Sequence, residues 1–248
     1  MPQRHPSLRD EPIAFAHRGA RANAPENTIE AFTLALRLGA NGLESDAWVT
    51  ADGVAVLDHD GIVRRRGRRI PLASLGLGDV PGPMPSAEAF FAQCGIDFDF
   101  SVDIKDVGAA APLVGAAVAA GFDTSRLWLC HWDHATVLDL RRSFPDVRVV
   151  DSTRLARIKE GPEKRFAALA EAGVDAVNMH HTDWNAGLGV LAHRFGLLAF
   201  AWDAQQPRVI DDLLRMGMDA VYSDHVDRLV TSWMEHAGHA PLRALRDP

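Results

Sequence analysis

Short runs of apolar and β-branched residues alternate along the chain with longer Ala- and Leu-rich stretches of helical period. That rhythm belongs to a parallel sheet whose strands are joined by crossover helices. Eight runs read as strands: residues 13–16, 42–47, 98–104, 126–130, 147–150, 176–178, 197–201 and 220–223. Helical stretches between them include 28–38, 109–120, 134–142, 163–172, 188–194 and 207–216, and several stop on a glycine, at Gly39, Gly121, Gly173, Gly196 and Gly217. Glycine is the usual residue just past a helix end. One segment, residues 60–86, breaks the rhythm with Arg, Gly and Pro and reads as an insertion or long loop between the second and third strands. The pattern predicts an α/β fold of the (β/α)8 type, a single domain over residues 1–248 with its core at about 13–235 and a short disordered tail after Gly238.

The ends of these strands carry the polar residues. His17 and Arg18 follow the first, Glu44 and Asp46 close the second, and Asp103 and Lys105 close the third. Later strands lead into His131, Asp151, His180 with His181, Trp202 with Asp203, and Asp224. In a parallel barrel the loops at the strand C-termini converge on one cavity, so this is where chemistry is expected. Side chains alternate faces along a strand, so Glu44 and Asp46 share a face, as do Asp103 and Lys105, opposite the apolar Phe98, Phe100, Val102 and Ile104. A half-exposed strand with a polar face would look similar, but Asp is depleted in strands, and three acids at two strand ends favour an inward functional face.

Composition narrows the choice of partners. With 248 residues, 47% apolar and 24% charged, the chain can bury one sizeable core. Lys plus Arg is 26 against 33 Asp plus Glu, a formal charge of −7, which argues against a nucleic-acid partner. Two cysteines, Cys94 and Cys130, are too few for a disulfide scaffold, and no apolar run approaches a membrane span. A cytoplasmic protein without stable membrane association, monomeric or homodimeric, is expected.

Three carboxylates at a barrel mouth raise one another's pKa unless a cation compensates them. Oxygen ligands suit Mg2+, Ca2+ or Mn2+ and disfavour a structural zinc. With Arg18 and Lys105 nearby, such an ion makes a positive pocket in a negative protein, suited to a phosphate. His17 and His59 complete the set, since imidazoles can take and give protons at neutral pH; His59, in DHDG, reads equally well as an ordinary turn residue.

The segments AHRGARANAPENTIEAF, NGLESDAWVTADGVAVLDHD, VDIK and GMDAVYSDHVDRL, in this order, resemble the glycerophosphodiester phosphodiesterase family over residues 13 to about 230. The resemblance implies a barrel that hydrolyses glycerophosphodiesters to sn-glycerol 3-phosphate and an alcohol with one divalent ion. It implies that His17 and His59 are the acid/base pair, that Glu44 and Asp46 bind the metal, with Asp103 the third candidate ligand, and that Arg18 and Lys105 hold phosphate oxygens. Asp103 stands where the family usually has Glu, and a carboxylate one methylene shorter is drawn back by about 1.5 Å. Trp202 matches a common aromatic position, but WDAQ replaces the usual Trp-Thr-Val-Asn, and CHWD replaces a Ser-Phe pair. His131, Trp202 and His180 are the remaining candidates for substrate contact, His131 reading equally as a pocket residue or a capping group. Glu26 and Asn27 look structural, with Asn27 a candidate cap for the following helix. The short 60–86 segment favours small, soluble diesters over bilayer lipids. The rival readings are a lysophospholipase D or sphingomyelinase D-like phospholipase, which resembles the family and uses an Asp-x-Lys like VDIK, and a non-catalytic barrel that binds phosphorylated ligands. Phosphatidylinositol-specific phospholipase C is a third.

Overall fold

All eight anticipated strands form in the computed structural model, which describes residues 5–80 and 82–237; the tail expected after Gly238 lies outside the described residues. In chain order the strands are β1 (Ile13–Ala16), β2 (Gly42–Val49), β3 (Ala55–Leu57), β4 (Ile62–Arg65), β5 (Arg68–Pro71), β6 (Asp99–Ile104), β7 (Leu127–His131), β8 (Arg148–Thr153), β9 (Ala176–His180), β10 (Leu198–Trp202) and β11 (Ala220–Ser223). Eight of these pair in parallel in the order β1-β2-β6-β7-β8-β9-β10-β11, and β11 returns to β1 to close the barrel. β3 adds antiparallel to the end of β2, with Ala47 opposite Leu57.

The α-helices among the described residues are α1 (Ile29–Arg37), α2 (Ala87–Cys94), α3 (Ala110–Ala119), α4 (His134–Ser143), α5 (Pro162–Glu171), α6 (Ala186–Arg194), α7 (Pro207–Arg215) and α8 (Val226–Ala237). One thus follows each barrel strand in the chain. Their starts are set by local chemistry: Asp133 and Asn185 cap α4 and α6 with side-chain oxygens, and Pro occupies the first turn of α5 and α7. The cap of α1 is Thr28, whose hydroxyl accepts from the Ala31 N–H, and not Asn27. Asn27 turns its side chain inward, where Oδ1 accepts from Ser45 at 2.8 Å and Nδ2 lies 3.5 Å from Asp46 Oδ2.

Residues 60–86 are less irregular than their composition implies. They hold the β4–β5 hairpin and two short 3-10 turns, and Ser86 caps α2, which supplies the crossover helix between β2 and β6. Phe90 of α2 stacks on Phe100 of β6 at 4.3 Å and meets Phe32 of α1 edge-on at 4.9 Å. Burying each such side chain stabilises the fold by roughly 2–3 kcal/mol.

The apolar side chains split by strand parity. Phe100, Val102 and Ile104 join the layer between sheet and helices, while Phe15, Trp128, Cys130, Phe200 and Tyr222 fill the barrel interior. Phe15 and Tyr222 stack at 4.6 Å, and Tyr222 Oη lies 3.0 Å from Ser101 Oγ. This packed plug is the floor beneath the strand C-termini. Cys94 and Cys130 are both free thiols. No helix among the described residues is long and apolar enough to cross a membrane.

Candidate active site

A cavity of about 580 Å³ opens above that floor, at the C-terminal ends of the strands. Nine of the ten anticipated residues line it: His17, Arg18, Glu44, Asp46, His59, Asp103, Lys105, His131 and Trp202. His180 is the exception. Its Nε2 lies 3.1 Å from Asp203 Oδ2, and its ring meets Trp202 edge-on at 4.6 Å, so it abuts the wall without forming it.

The β1–α1 turn presents His17 and Arg18. Its tightness comes from Gly19, which takes φ +77° so close to α1 that a Cβ would lie 2.6 Å from the Ala31 main chain. Barrel closure brings Asp224, at the end of β11, to His17, and Nδ1 and Oδ1 are 2.6 Å apart. That contact leaves Nε2 on the Glu44 side, 3.8 Å from its Oε2. Burial opposes protonation of His17, but the charge of Glu44 and the hydrogen bond to Asp224 outweigh it and hold the imidazole above its usual pKa. Arg18 donates its main-chain N–H to Glu44 Oε2 at 2.9 Å, and its guanidinium reaches Glu26 at 3.1 Å and Asp46 at 3.3 Å.

Glu44, Asp46 and Asp103 each offer an oxygen within 4.8 Å of the others. The register explains it: Asp46 of β2 is directly opposite Asp103 of β6, and Glu44 sits two residues back on the same face. Glu44 is pushed well above the usual carboxylate range by burial, and by the nearby charges of Asp46 and Asp103 in opposition to that of His17. Lys105 Nζ lies 3.1 Å from Asp46 and 3.0 Å from Asp103, and these charges raise its pKa despite burial. An all-oxygen donor set that keeps a buried carboxyl short of compensation fits a hard divalent cation. Arg18 Nε is also buried here without a hydrogen-bond acceptor.

His59 arrives on a loop that is itself held in place. Asp58 Oδ2 accepts from the N–H groups of Asp60 and Gly61, and the Trp48 indole donates to the His59 carbonyl at 3.3 Å. Gly61 lies flat against the Trp48 ring, where any Cβ would come within 2.4 Å. His59 Nδ1 is 2.8 Å from Asp60 Oδ1. At the end of β7, His131 both lines the cavity and accepts the Asp133 N–H at 3.0 Å.

Sequence reading set Asp203 and Asp224 at strand ends but gave neither a role, and it did not single out Trp132, Arg154, Arg157 or Asn178, which also line the wall. The available signal was position at the C-terminal end of a strand, which Asp224 and Asp203 share with the residues that were found.

Residues 17–72 and 97–228, about three quarters of the chain, match the model of the glycerophosphoryl diester phosphodiesterase family. The chain belongs to that family. It is therefore an enzyme of the phosphoric diester hydrolase class, and the match does not favour the phospholipase D readings. The unmatched stretch between the two segments contains the end of the insertion and the whole of α2. A glycerophosphodiester phosphodiesterase of Caldanaerobacter subterraneus is 24% identical over 241 residues, covering 88% of this chain and 96% of its own. Two solved structures share the fold. The glycerophosphodiester phosphodiesterase of Thermotoga maritima has a TM-score of 0.74 at 21% identity, covering 88% of this chain and 96% of its own. An Oleispira antarctica phosphodiesterase in complex with the product sn-glycerol-3-phosphate has a TM-score of 0.76 at 17% identity, covering 90% and 96%.

Proposed function

We propose that this protein is a divalent-metal-dependent glycerophosphodiester phosphodiesterase, releasing sn-glycerol 3-phosphate and an alcohol, with His17 and His59 as its acid/base pair. The observation that carries the reading is the gathering of His17, the Glu44/Asp46/Asp103 trio, Lys105 and His59 around one cavity in a chain of this family. Relatives named for this activity, and a structural relative holding sn-glycerol-3-phosphate, support it.

Glu44, Asp46 and Asp103 would hold the ion, Mg2+, Ca2+ or Mn2+. When bound, it supplies positive charge against the charge that grows on the non-bridging phosphate oxygens. Arg18 and Lys105 extend that field and orient the phosphate. One histidine removes a proton from the attacking oxygen, of water or of the neighbouring glycerol hydroxyl, as the new P–O bond forms. The other gives a proton to the leaving alkoxide as the old P–O bond breaks. Trp202 and His131, which line the cavity, would contact the remainder of the substrate, and His180 would support the Trp202 and Asp203 side of the wall.

The test is purified protein with glycerophosphocholine and Mg2+, Ca2+ or Mn2+ in turn, with glycerol 3-phosphate measured by a coupled dehydrogenase. Product is expected with at least one ion and none in excess chelator. Absence of product with every ion, or full activity in His17→Ala, overturns the proposal.

A further inference from the structure

We infer that the β7–β8 side of the cavity is a subsite for a second anionic group, a phosphate or carboxylate carried on the alcohol portion of the diester. The inference rests on the activity proposed above and concerns which diesters are preferred. Four full cations line the cavity. Three are matched by carboxylates: Arg18 by Glu26 and Asp46, Lys105 by Asp46 and Asp103, and Arg154 by a two-point contact with Asp183 at 2.6 and 3.2 Å. Arg157 is not. Among the described residues its guanidinium has neither a carboxylate within 4.0 Å nor a hydrogen-bond acceptor, and all its donors remain available.

What Arg157 does touch is an aromatic platform. Its guanidinium lies 5.8 Å from the centroid of Trp132, an indole 62% exposed at the cavity rim and stacked on His131 at 5.6 Å. Arg154 lies in the same way over Trp202, at 5.7 Å. Stacking limits the freedom of a planar guanidinium while leaving its N–H edge open, so less entropy is lost when it grips an anion. The wall also contains Asp203, but that carboxylate is already engaged by His180 at 3.1 Å and Gln205 at 3.0 Å. The floor of the site handles the scissile phosphate through Arg18 and Lys105, which leaves Arg157 over for a charge further along the substrate. His131 and Trp132 belong to the CHWD segment, where the chain departs from its family's usual residues, consistent with a preference particular to this protein.

The two probes are 1,3-bis(sn-glycero-3-phospho)glycerol and sn-glycero-3-phosphoglycerol; the first carries on its alcohol portion an anionic glycerophosphoryl group that the second lacks. After allowance for its two equivalent diester bonds, the first should show a kcat/KM roughly three- to tenfold higher, a ratio that shrinks as salt is raised. In Arg157→Gln the ratio should fall to near one, and Arg157→Lys should keep part of it. Equal kcat/KM values for the two diesters, or a preference that survives Arg157→Gln, overturns the subsite. Turnover of neither diester with any of the three ions would instead be failure of the proposed activity. In that event, calorimetric binding of the two diesters to the wild-type protein and to Arg157→Gln reads the subsite alone, and equal affinities overturn it.

Discussion

Asp224 determines the state in which His17 meets a substrate. Burial works against the charge of this carboxyl, but the hydrogen bond to His17 and the charges around it hold its pKa below the usual value. A carboxylate on Nδ1 fixes the tautomer, aims Nε2 at the cavity and favours the imidazolium. Asp224→Asn keeps the shape and loses the charge, so kcat/KM should fall roughly 10–100-fold with the thermal midpoint little changed. Losing an anionic partner lowers the pKa of His17, so whichever limb of the pH–rate profile His17 sets should move to lower pH. A profile identical to wild type would show that the pair is structural. Most of the site was legible from strand parity alone: Glu44, Asp46, Asp103 and Lys105 are read off a period of two, and His17 and Arg18 off the end of the first strand. The role of Asp224 was not, because it stands 207 residues from His17 and becomes its neighbour only when β11 pairs with β1. His180 is the reverse case, since its position at a strand end is legible while the turn of its ring to Asp203 and Thr182 is not.

Individual elements add constraints that no single side chain explains. The turn from β1 to α1 delivers two functional residues only because Gly19 can sit against Ala31 at positive φ. Gly19→Ala adds both strain and overlap with main chain, and should cost about 1–3 kcal/mol in a denaturant melt while disturbing His17 and Arg18. A variant of unchanged stability and activity would contradict that close approach. Strand β8 and helix α5 are linked by a buried pair, Asp151 and Arg165, at 3.2 Å. Burial raises the Asp151 pKa to about 6, with Arg165 offsetting part of the effect. A carboxyl raised above its unfolded value binds its proton more tightly in the folded state, so the stability it contributes is present at low pH and is lost as pH rises from about 4 to about 6. Lowering the pH from 7 to 5 should therefore stabilise wild type relative to Asp151→Asn by about 1–2 kcal/mol, and a constant difference across that range would refute the shift. The helices that sequence patterning missed, α2 and α8, share a cause. α2 is eight residues long with two adjacent phenylalanines in Gly- and Pro-rich surroundings, and α8 carries β-branched Val230 and Thr231. Both have weak local preference and owe their helicity to packing, α2 on Phe32 and Phe100, α8 beside β1 and α7.

At the scale of the whole molecule, the two ends of the barrel divide the work, and the acids that flank β11 show it. Asp224 follows the strand and holds the cavity-lining His17, whereas Asp219 precedes it and lies fully buried at the opposite end. Residue type and place at a strand end do not tell these two aspartates apart; the direction of the strand does, because strand C-termini carry chemistry in this fold and N-termini carry stability. Asp219 accepts from the Ser7 hydroxyl at 2.6 Å, the Leu8 N–H at 2.7 Å and the Ala199 N–H at 2.7 Å, and its Oδ2 is 2.8 Å from His193 Nε2. One carboxylate thereby ties the segment before β1, strand β10 and helix α6 together beneath the barrel. Asn41 makes a similar clasp beside it, accepting from the Ala14 N–H and donating to the Pro12 carbonyl. Asn at 219 retains a single acceptor oxygen and turns an NH2 group toward donors, leaving buried N–H groups unsatisfied. Asp219→Asn should therefore cost about 2–4 kcal/mol in stability. Because the change is at the far end from His17 and the carboxylate trio, kcat and KM measured well below the new melting point should match wild type. A variant that lost activity while keeping its stability would mean that the two ends are coupled through the packed interior of Phe15, Trp128, Phe200 and Tyr222, and that the division between them fails.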